Sequence, residues 1–205
     1  KTMLSVRASH PKLLVVEHDS GFPSHAPNSN AVCLIGESQG VGAESVQQNL
    51  LSRMEADLFL VISDTASRPL FMHLATNVSW IVDADTEAFF NSTAPEWRLS
   101  VPGNSLGGLT GFENETGAYQ LRSRWECERL ISYFERKLGH EYKYVGIGRA
   151  DLLWLLPHPK VRPDGCWIPC QTNDYGGICD HWAWCERRSS RAYMLAPVSD
   201  IPIQT

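Results

Sequence analysis

The chain has 205 residues, enough for one α/β domain with a substantial core, and its composition is ordinary for a globular protein. Its formal net charge of −5 argues against a surface that binds nucleic acid. The sequence contains no apolar run of about 18 residues, so it predicts no transmembrane helix. Because the chain opens at Lys1 without an initiator methionine, we expect a trimmed fragment whose targeting or membrane-attaching segment lies outside this sequence.

Glycosylation signals and cysteines both indicate a secretory compartment. N-x-[ST] signals begin at Asn77, Asn91 and Asn114. The six cysteines are an even number, and four of them cluster at Cys166, Cys170, Cys179 and Cys185. Disulfides in a secretory lumen explain both observations, whereas zinc ligands and free buried thiols are the alternatives for the cluster. We therefore expect a disulfide-bonded glycoprotein that is secreted or resides in the Golgi or ER.

The first part of the chain alternates predicted strands and a helix. Residues 1–29 are mostly loop-like, with one short apolar run over 13–16 that is typical of an edge strand. Residues 30–35 predict a buried strand, and residues 43–54 predict a helix. Residues 57–62 predict a second strand, parallel to the first if the helix is a crossover.

A glycine-rich turn, Gly36-Glu37-Ser38-Gln39-Gly40-Val41-Gly42, joins the first strand to the helix. Glycine permits close backbone approach and a helix N-terminus carries positive potential, so such a turn suits nucleotide phosphates. A tight β–α turn without a ligand is the alternative, because the motif is neither G-x-G-x-x-G nor a Walker loop.

A literal D-x-D motif occurs at Asp83-Ala84-Asp85, after the apolar run 80–82. It predicts either a metal site or the N-terminal cap of a helix that begins at Thr86, and we favour the cap. Residues 91–117 follow with two prolines and five glycines, which is typical of a functional loop or a disordered segment.

The clearest predicted helix spans residues 119–138, with an apolar face at helical spacing. Arg122 and Arg124 lie in its first turns. They either serve a ligand or pair with Glu126 and Glu128 on a solvated face.

The triplet Arg149-Ala150-Asp151 lies between two apolar runs, over 144–147 and 152–156, that both predict buried strands. Because a lone buried charge is very costly, we expect the chain to surface at this triplet, at the strand ends where open α/β sheets bind ligands. Asp151 can then bind a divalent cation through oxygen, and Arg149 can bind phosphate. A surface ion pair between Arg149 and Asp151 is the alternative.

This stretch, a strand followed by R-x-D and an apolar run ending in proline, resembles the metal-binding segment of GT-A glycosyltransferases. These enzymes transfer a sugar from a nucleotide-sugar. By order and spacing of motifs, roughly residues 30–195 resemble a small group from algae, plants and large algal viruses that has R-x-D in place of D-x-D. The resemblance implies a single α/β, GT-A-like (Rossmann-like) domain over 30–196, with a mostly parallel central sheet flanked by helices. Residues 1–29 would be an N-terminal edge segment and 197–205 a tail.

The resemblance also assigns donor and metal roles. Residues that would bind the nucleotide-sugar donor are Gly36, Ser38, Gln39 and Arg124. Asp151 would hold Mn²⁺ or Mg²⁺, and His181 would be a second ligand or a phosphate contact. Arg149 or Arg124 would offset the charge of the leaving group. Residues 91–117 would be a lid over the donor, with Gly107-Gly108 as its hinge.

The segment 176–183, Gly-Gly-Ile-Cys-Asp-His-Trp-Ala, resembles the part of these enzymes that shapes the acceptor pocket. An inverting transfer needs a general base, and Asp180 is our candidate. Trp182 and Trp184 would stack on sugar faces. The alternatives are that Asp180 caps a turn and that both indoles fill the core.

The resulting hypothesis is metal-assisted transfer of a sugar to a hydroxyl of a glycan or glycoprotein. It requires Asp151 to lie at the carboxyl edge of the sheet, beside the glycine-rich turn. A secreted carbohydrate-binding module is one alternative, favoured by seven tryptophans. A glycoside hydrolase that uses Asp180 with Asp151 or Asp174 is the other.

Overall fold

The structure, a computed structural model, describes residues 15–16, 28–36, 42–62, 78–82, 116–169 and 181–199. The described strands are β1 (Val15–Val16), β2 (Asn30–Ile35), β3 (Ala56–Ile62), β4 (Val78–Val82), β5 (Tyr144–Arg149), β6 (Cys166–Trp167) and β7 (Trp182–Glu186). The described helical segments are α1 (43–54), α2 (Thr116–Leu138) and α3 (Arg187–Ser199).

The described strands form one seven-stranded mixed sheet in the order β1-β4-β3-β2-β5-β7-β6. Neighbours among β4, β3, β2 and β5 are parallel, and the pairs β1–β4, β5–β7 and β6–β7 are antiparallel. The predicted α/β class and the predicted parallel pairing of the first two buried strands are confirmed. The sheet is parallel at its centre and antiparallel towards both sides.

Helices cover both faces of the central strands. On one face, α1 packs against alternate residues such as Val32 and Leu58. On the other face, α2 and α3 pack against the intervening residues such as Cys33 and Phe59. Successive side chains of a strand point to opposite faces, so a strand covered on both faces needs a continuous apolar run. This double burial is why β2 and β3 were recognisable in the sequence.

The predicted helix over 43–54 is confirmed, but its middle is wider than an α-helix. An α-helical turn over Ala43–Ser45 leads into a π-helix over Val46–Leu51, and a turn of α-helix over Ser52–Met54 ends the segment. The Ser52 N–H and hydroxyl both donate to the carbonyl oxygen of Gln47, the i→i−5 spacing of a π-helix. Val46 and Leu50 of this segment are buried against the sheet.

Helix α2 confirms the predicted helix, and Gly139, with φ of 70°, follows its last residue. The alternative that placed its early charged residues on a solvated face is wrong. The four residues concerned, all buried, are Arg122, Arg124, Glu126 and Glu128.

A buried ion-pair network joins α3 to α2. Arg187, the first residue of α3, donates to Glu135 through Nε at 2.7 Å and to Glu128 through Nη1 at 2.7 Å. Burial alone would lower the pKa of Arg187, but the hydrogen bonds that it donates to Glu135 and Glu128 outweigh burial and raise the pKa. Because an unpaired charge would be very costly at this position, the network fixes how the two helices meet.

The prediction of a second buried strand over 152–156 is wrong. These residues have no regular secondary structure, and Leu153, Leu155 and Leu156 are 51%, 78% and 77% exposed. Leu152 and Trp154 instead pack inward against the core beneath α1. We call residues 152–158 the leucine segment.

Two disulfides lie within the described residues. Cys33 of β2 bonds to Cys127 of α2, and Cys166 of β6 bonds to Cys185 of β7. Disulfide use is thereby confirmed, and zinc or free thiols are excluded for these four cysteines. None of the described helices is long and apolar enough to cross a membrane. The disulfides are compatible with a secreted or lumenal protein.

Candidate functional site

The first β–α turn and the R-x-D triplet leave the sheet side by side. Ile35, the last residue of β2, is paired with Arg149 of β5, and the carbonyl oxygen of Ile35 accepts a hydrogen bond from the Ala150 N–H at 2.8 Å. Gly36 follows with φ of 90°, a left-handed conformation that favours glycine, and its N–H donates to the Val61 carbonyl at 2.9 Å. The carboxyl ends of three parallel strands, β2, β3 and β5, therefore meet here.

Residues at the start of α1 lie directly against the triplet. A Cβ placed on Gly42 would lie 2.7 Å from the carbonyl oxygen of Leu152 and 3.8 Å from that of Ala150. The Trp154 N–H also donates to Ser45 Oγ at 3.0 Å. The backbone on both sides of Asp151 is thus packed against the first residues of α1.

Arg149 and Asp151 form a bidentate ion pair. Arg149 Nε donates to Asp151 Oδ1 at 2.9 Å, and Nη2 donates to Oδ2 at 2.5 Å. The hydrogen bond from Arg149 lowers the pKa of Asp151 against the opposing effect of burial, and the charges of Arg149 and His181 lower it further. The side chains are 37% and 25% exposed, so the charged pair is accessible rather than sealed in the core.

His181 is brought to the same edge by β7. Gly148 is paired with Trp182, the first residue of β7, and the Arg149 N–H donates to the His181 carbonyl oxygen at 3.1 Å. Because β7 runs antiparallel to β5, it begins where β5 ends. Asp180 immediately precedes His181 in the sequence and lies outside the described residues.

Arg124 lies in the helical layer on one face of the sheet. Its side chain is buried, and its guanidinium carbon is 5.0 Å from the ring centroid of Tyr193 in α3. This cation–π contact packs α2 against α3. A role for Arg124 at the donor stays a prediction.

Several predicted site residues lie outside the described ranges. They are Ser38, Gln39, Asp83, Asp85, Gly107, Gly108, Asp174 and Asp180. The acceptor asparagines of the three glycosylation signals, Asn77, Asn91 and Asn114, lie there as well, so glycosylation also stays a prediction.

Asp151 and His181 do not make a complete metal site with the other described residues. Within the described ranges, no group of three or more His, Cys, Asp or Glu side chains is arranged to hold a metal ion. Both carboxylate oxygens of Asp151 also accept hydrogen bonds from Arg149. Each of these oxygens keeps a second lone pair, so a cation at Asp151 would share the carboxylate with the guanidinium.

Trp182 and Trp184 are buried, so the alternative that they fill the core is correct and sugar stacking on them is wrong. The Trp182 ring lies flat against β5, where a Cβ on Gly148 would be 2.5 Å from a ring atom, and a Cβ on Gly146 would also overlap the ring. Glycines within a strand are the sequence signal that another group approaches closely. That signal was present in Tyr-Val-Gly-Ile-Gly-Arg.

His158 was missed by the sequence analysis. It is buried among aromatic rings, and its Nε2 accepts a hydrogen bond from Trp182 Nε1 at 3.0 Å. Burial lowers the pKa of His158. His158 therefore orients Trp182, the residue next to His181.

A cavity of about 280 Å³ lies at the opposite, amino edge of the sheet. Its lining residues are Ser132, Glu135, Arg136, Gly139, His140, Glu141 and Arg191. Arg191 pairs with Glu135 at 3.6 Å and with Glu141 at 3.4 Å across this cavity. Because these charges pair with one another, we assign the cavity to the α2–α3 junction and not to chemistry.

Comparisons of this chain with protein-family models, curated proteins and solved structures found no match. The resemblance to GT-A glycosyltransferases therefore stays a prediction. The functional assignment depends on the side chains at the carboxyl edge of the sheet.

Proposed function

We propose that this chain is a glycosyltransferase that moves a sugar from a nucleotide-sugar to a hydroxyl of a glycan or glycoprotein. The observation that carries the proposal is the accessible Arg149–Asp151 pair at the carboxyl edge, beside the first β–α turn. In open α/β sheets, ligands bind in the crevice outside the carboxyl ends of the strands.

Each side chain has a defined role in this reaction. The acceptor oxygen attacks the anomeric carbon, the bond from that carbon to the diphosphate oxygen breaks, and Asp180 takes the acceptor proton. Arg149 offsets the negative charge that develops on the departing diphosphate, and Asp151 positions the guanidinium through two hydrogen bonds. Gly36, with Ser38 and Gln39, would contact the nucleoside part of the donor.

When bound, a divalent cation would neutralise charge on the departing diphosphate. Asp151 and His181 remain our candidate ligands for Mn²⁺ or Mg²⁺. Dependence of activity on Mn²⁺ that is lost in Asp151→Asn would support a cation at this carboxylate.

The finer structural and cellular predictions belong to the same proposal. A GT-A-like domain is supported by parallel central strands with helices on both faces. Residence in the Golgi or ER lumen, or secretion, is supported by the disulfides. The binding-module alternative loses support because Trp182 and Trp184 are buried and cannot form a stacking platform.

The proposal is tested by a screen of nucleotide-sugars for hydrolysis and transfer, with and without Mn²⁺. We expect one donor to be turned over and its nucleotide to raise the melting temperature by mass action. Replacing Arg149 by Gln should lower kcat about 100-fold, the usual effect of removing one group that stabilises developing charge. Asp151→Asn should lower kcat as well, because the guanidinium loses its anchor.

Asp164→Asn is the matched control, because Asp164 is an exposed carboxylate on the turn before β6. It should leave kcat and nucleotide binding unchanged. Full activity of both Arg149→Gln and Asp151→Asn would refute the site. Turnover of an aryl glycoside without any nucleotide would instead identify a hydrolase.

A further inference from the structure

The solvent-facing side of α2 is positively charged. Over residues 120–138 of this helix, the exposed residues are all cations: Arg129, Arg136 and Lys137. The glutamates of the helix are all buried. Because the whole chain carries a formal net charge of −5, this surface has the opposite sign to the molecule and attracts anions.

The three cations lie on one side of the helix, and we call them the α2 cation face. With 3.6 residues per turn, Arg129, Arg136 and Lys137 fall within an arc of about 100°. Arg129 and Arg136 are two turns apart, about 10 Å along the helix axis. A single sulfate or phosphate ion does not span that distance. The face therefore suits a partner that presents several negative charges along an extended chain.

Neighbouring side chains of α2 restrain two of these cations. The guanidinium carbon of Arg129 is 4.7 Å from the ring centroid of Trp125, and Lys137 Nζ is 5.5 Å from that of Tyr133. Arg129 Nη1 also donates to the buried Glu126 at 3.1 Å, and a guanidinium has further donors on Nε and Nη2. Because these contacts restrict the side chains beforehand, less conformational entropy is lost when a ligand binds.

Helix α3 continues the same surface. Arg136 lines the cavity of about 280 Å³ at the amino edge together with His140 and with Arg191 of α3. This shared cavity places the exposed Arg191 next to the α2 cation face. Within the described part of the chain, His140 Nε2 is buried and has no hydrogen-bond partner. It is therefore a polar atom that a bound ligand can satisfy.

Acidic side chains at this end of α2 are already paired. The exposed Glu141 pairs with Arg191 at 3.4 Å, and the buried Glu135 accepts a hydrogen bond from Arg187 at 2.7 Å. The cavity is thus close to charge balance. The excess positive charge belongs to the α2 cation face beside it.

We infer that the α2 cation face binds an acidic glycan, an extended sugar chain that carries sulfate or carboxylate groups. The planar fork of an arginine side chain matches the oxygens of such groups. The disulfides are compatible with a secreted or lumenal protein, and in that compartment the extended polyanions are glycans rather than nucleic acids.

The inference goes beyond sugar transfer. The C-terminal half of α2 leads to the amino edge, where β5 begins, whereas the Arg149–Asp151 pair lies at the carboxyl edge. Binding at the α2 cation face depends on charge and does not need the stacking on Trp182 and Trp184 that their burial rules out. The face would hold a glycan without reacting with it.

The inference is tested by titrating the intact chain calorimetrically with dextran sulfate, with polygalacturonate and with neutral dextran. We expect binding to at least one acidic glycan, weakening as salt screens the charges, and no binding to dextran. Arg129→Gln/Arg136→Gln/Lys137→Gln should raise Kd about tenfold or more, because each exposed ion pair contributes about two- to fivefold in affinity.

The matched control removes the same number of charges from the other side of the sheet. It is Arg53→Gln/Lys160→Gln/Arg162→Gln, because Arg53 lies in α1, and Lys160 and Arg162 flank Val161, which packs into the core on the α1 side. All three control residues are exposed. The control should leave Kd within about twofold of the wild-type value. Melting temperatures verify that each variant is folded.

The inference is overturned if the chain binds neither acidic glycan, if it binds neutral dextran equally well, or if the α2 variant binds as the wild type does. Equal weakening by both triple variants would overturn it too, because net charge and not this face would then control binding. Tighter binding of polyglutamate than of either acidic glycan would identify an acidic protein as the partner instead.

Arg136→Gln/Lys137→Gln decides the question should the triple variant fail to fold. This double variant keeps the pair between Arg129 and the buried Glu126, and it should raise Kd about fourfold or more. None of these outcomes depends on whether the chain transfers sugar, because the substituted residues lie outside the proposed transferase site.

Discussion

His158 shows how one buried titratable side chain organises the core beneath α1. The Trp182 indole can only donate, so the Nε2 atom that it meets at 3.0 Å must be unprotonated. The proton of the neutral ring then lies on Nδ1, which donates to the Pro159 carbonyl oxygen at 2.8 Å. Protonation of Nε2 would place two N–H groups against each other.

The first prediction, at the scale of this residue, concerns pH. The folded pKa of His158 lies below its ordinary value of 6.5, so the unfolded chain takes up a proton first as pH falls. Wild-type stability therefore declines below about pH 6.5, until the folded pKa is reached. His158→Phe leaves the Trp182 N–H without an acceptor, which costs about 1–3 kcal/mol, but removes this titration.

Urea unfolding of wild type and His158→Phe at about pH 7.5 and about pH 5 measures the effect. We expect the difference in free energy of unfolding to shrink at the lower pH. Other titrating groups are common to both proteins and cancel. A difference that stays constant or grows would show that His158 is protonated in the folded protein.

Single residues were only partly accessible to sequence reasoning. The pairing of Arg149 with Asp151 was foreseen as an alternative, because opposite charges at a strand end readily meet. The role of His158 was not foreseen, because its partner Trp182 is 24 residues away in the sequence and only folding brings the two together. Gly146 and Gly148 within the strand did indicate that another group approaches closely, because their missing side chains leave room for the Trp182 ring.

At the scale of elements, the junction of α2 and α3 depends on Arg187. Arg187→Met should lower the free energy of unfolding by about 3–5 kcal/mol, because Glu128 and Glu135 would be left buried without their main partner. Arg191→Met is the matched control, since Arg191 pairs with the same carboxylates but is 47% exposed. Its loss should cost about 0–1 kcal/mol.

Chemical denaturation of both variants distinguishes these outcomes. Equal losses for Arg187→Met and Arg191→Met would mean that burial does not set the strength of this network. A loss below about 1 kcal/mol for Arg187→Met would mean that water or Arg191 replaces the buried guanidinium.

Elements covered on two faces were predictable, and elements that depend on distant partners were not. β2, β3 and α2 carry apolar patterns that match their burial. The leucine segment carries an equally apolar run, yet Leu155 faces solvent. Periodicity cannot distinguish these cases, because strand formation at 152–156 would need an adjacent strand to pair with.

At the scale of the whole molecule, the two described disulfides close loops of different length. Cys33 and Cys127 are separated by 94 positions, and Cys166 and Cys185 by 19. A longer loop removes more entropy from the unfolded chain, about 4.7 kcal/mol against about 3.2 kcal/mol in the chain-entropy model. The first bond also links the central strand to α2, whereas the second joins β6 to its neighbour.

We therefore expect Cys33→Ala/Cys127→Ala to lower the free energy of unfolding more than Cys166→Ala/Cys185→Ala does. Guanidinium unfolding of the two paired variants measures both losses. The burial of Cys33 and Cys127 adds a cavity term in the same direction. An equal or larger loss from the shorter loop would show that residual structure in the unfolded chain, not loop length, controls the effect.

The α/β class and the parallel centre followed from the order of strand and helix patterns, because right-handed crossovers place successive strands side by side. The antiparallel pairing of β7 with β5 could not be predicted in this way. This pairing is what brings His181 beside Arg149. The Cys33–Cys127 bond was equally hidden, since nothing local to either cysteine indicates a partner 94 positions away.

Gly42 lies so close to the Leu152 carbonyl that a substitution there would change the position of Asp151. A methyl group at position 42 would meet that oxygen at 2.7 Å, so the backbone beside Asp151 would have to shift by several tenths of an ångström. Because Leu152 is bonded directly to Asp151, the carboxylate would move with it. Protein engineers could thus retune the geometry of the Arg149–Asp151 pair by enlarging an uncharged residue 107 positions upstream of Arg149.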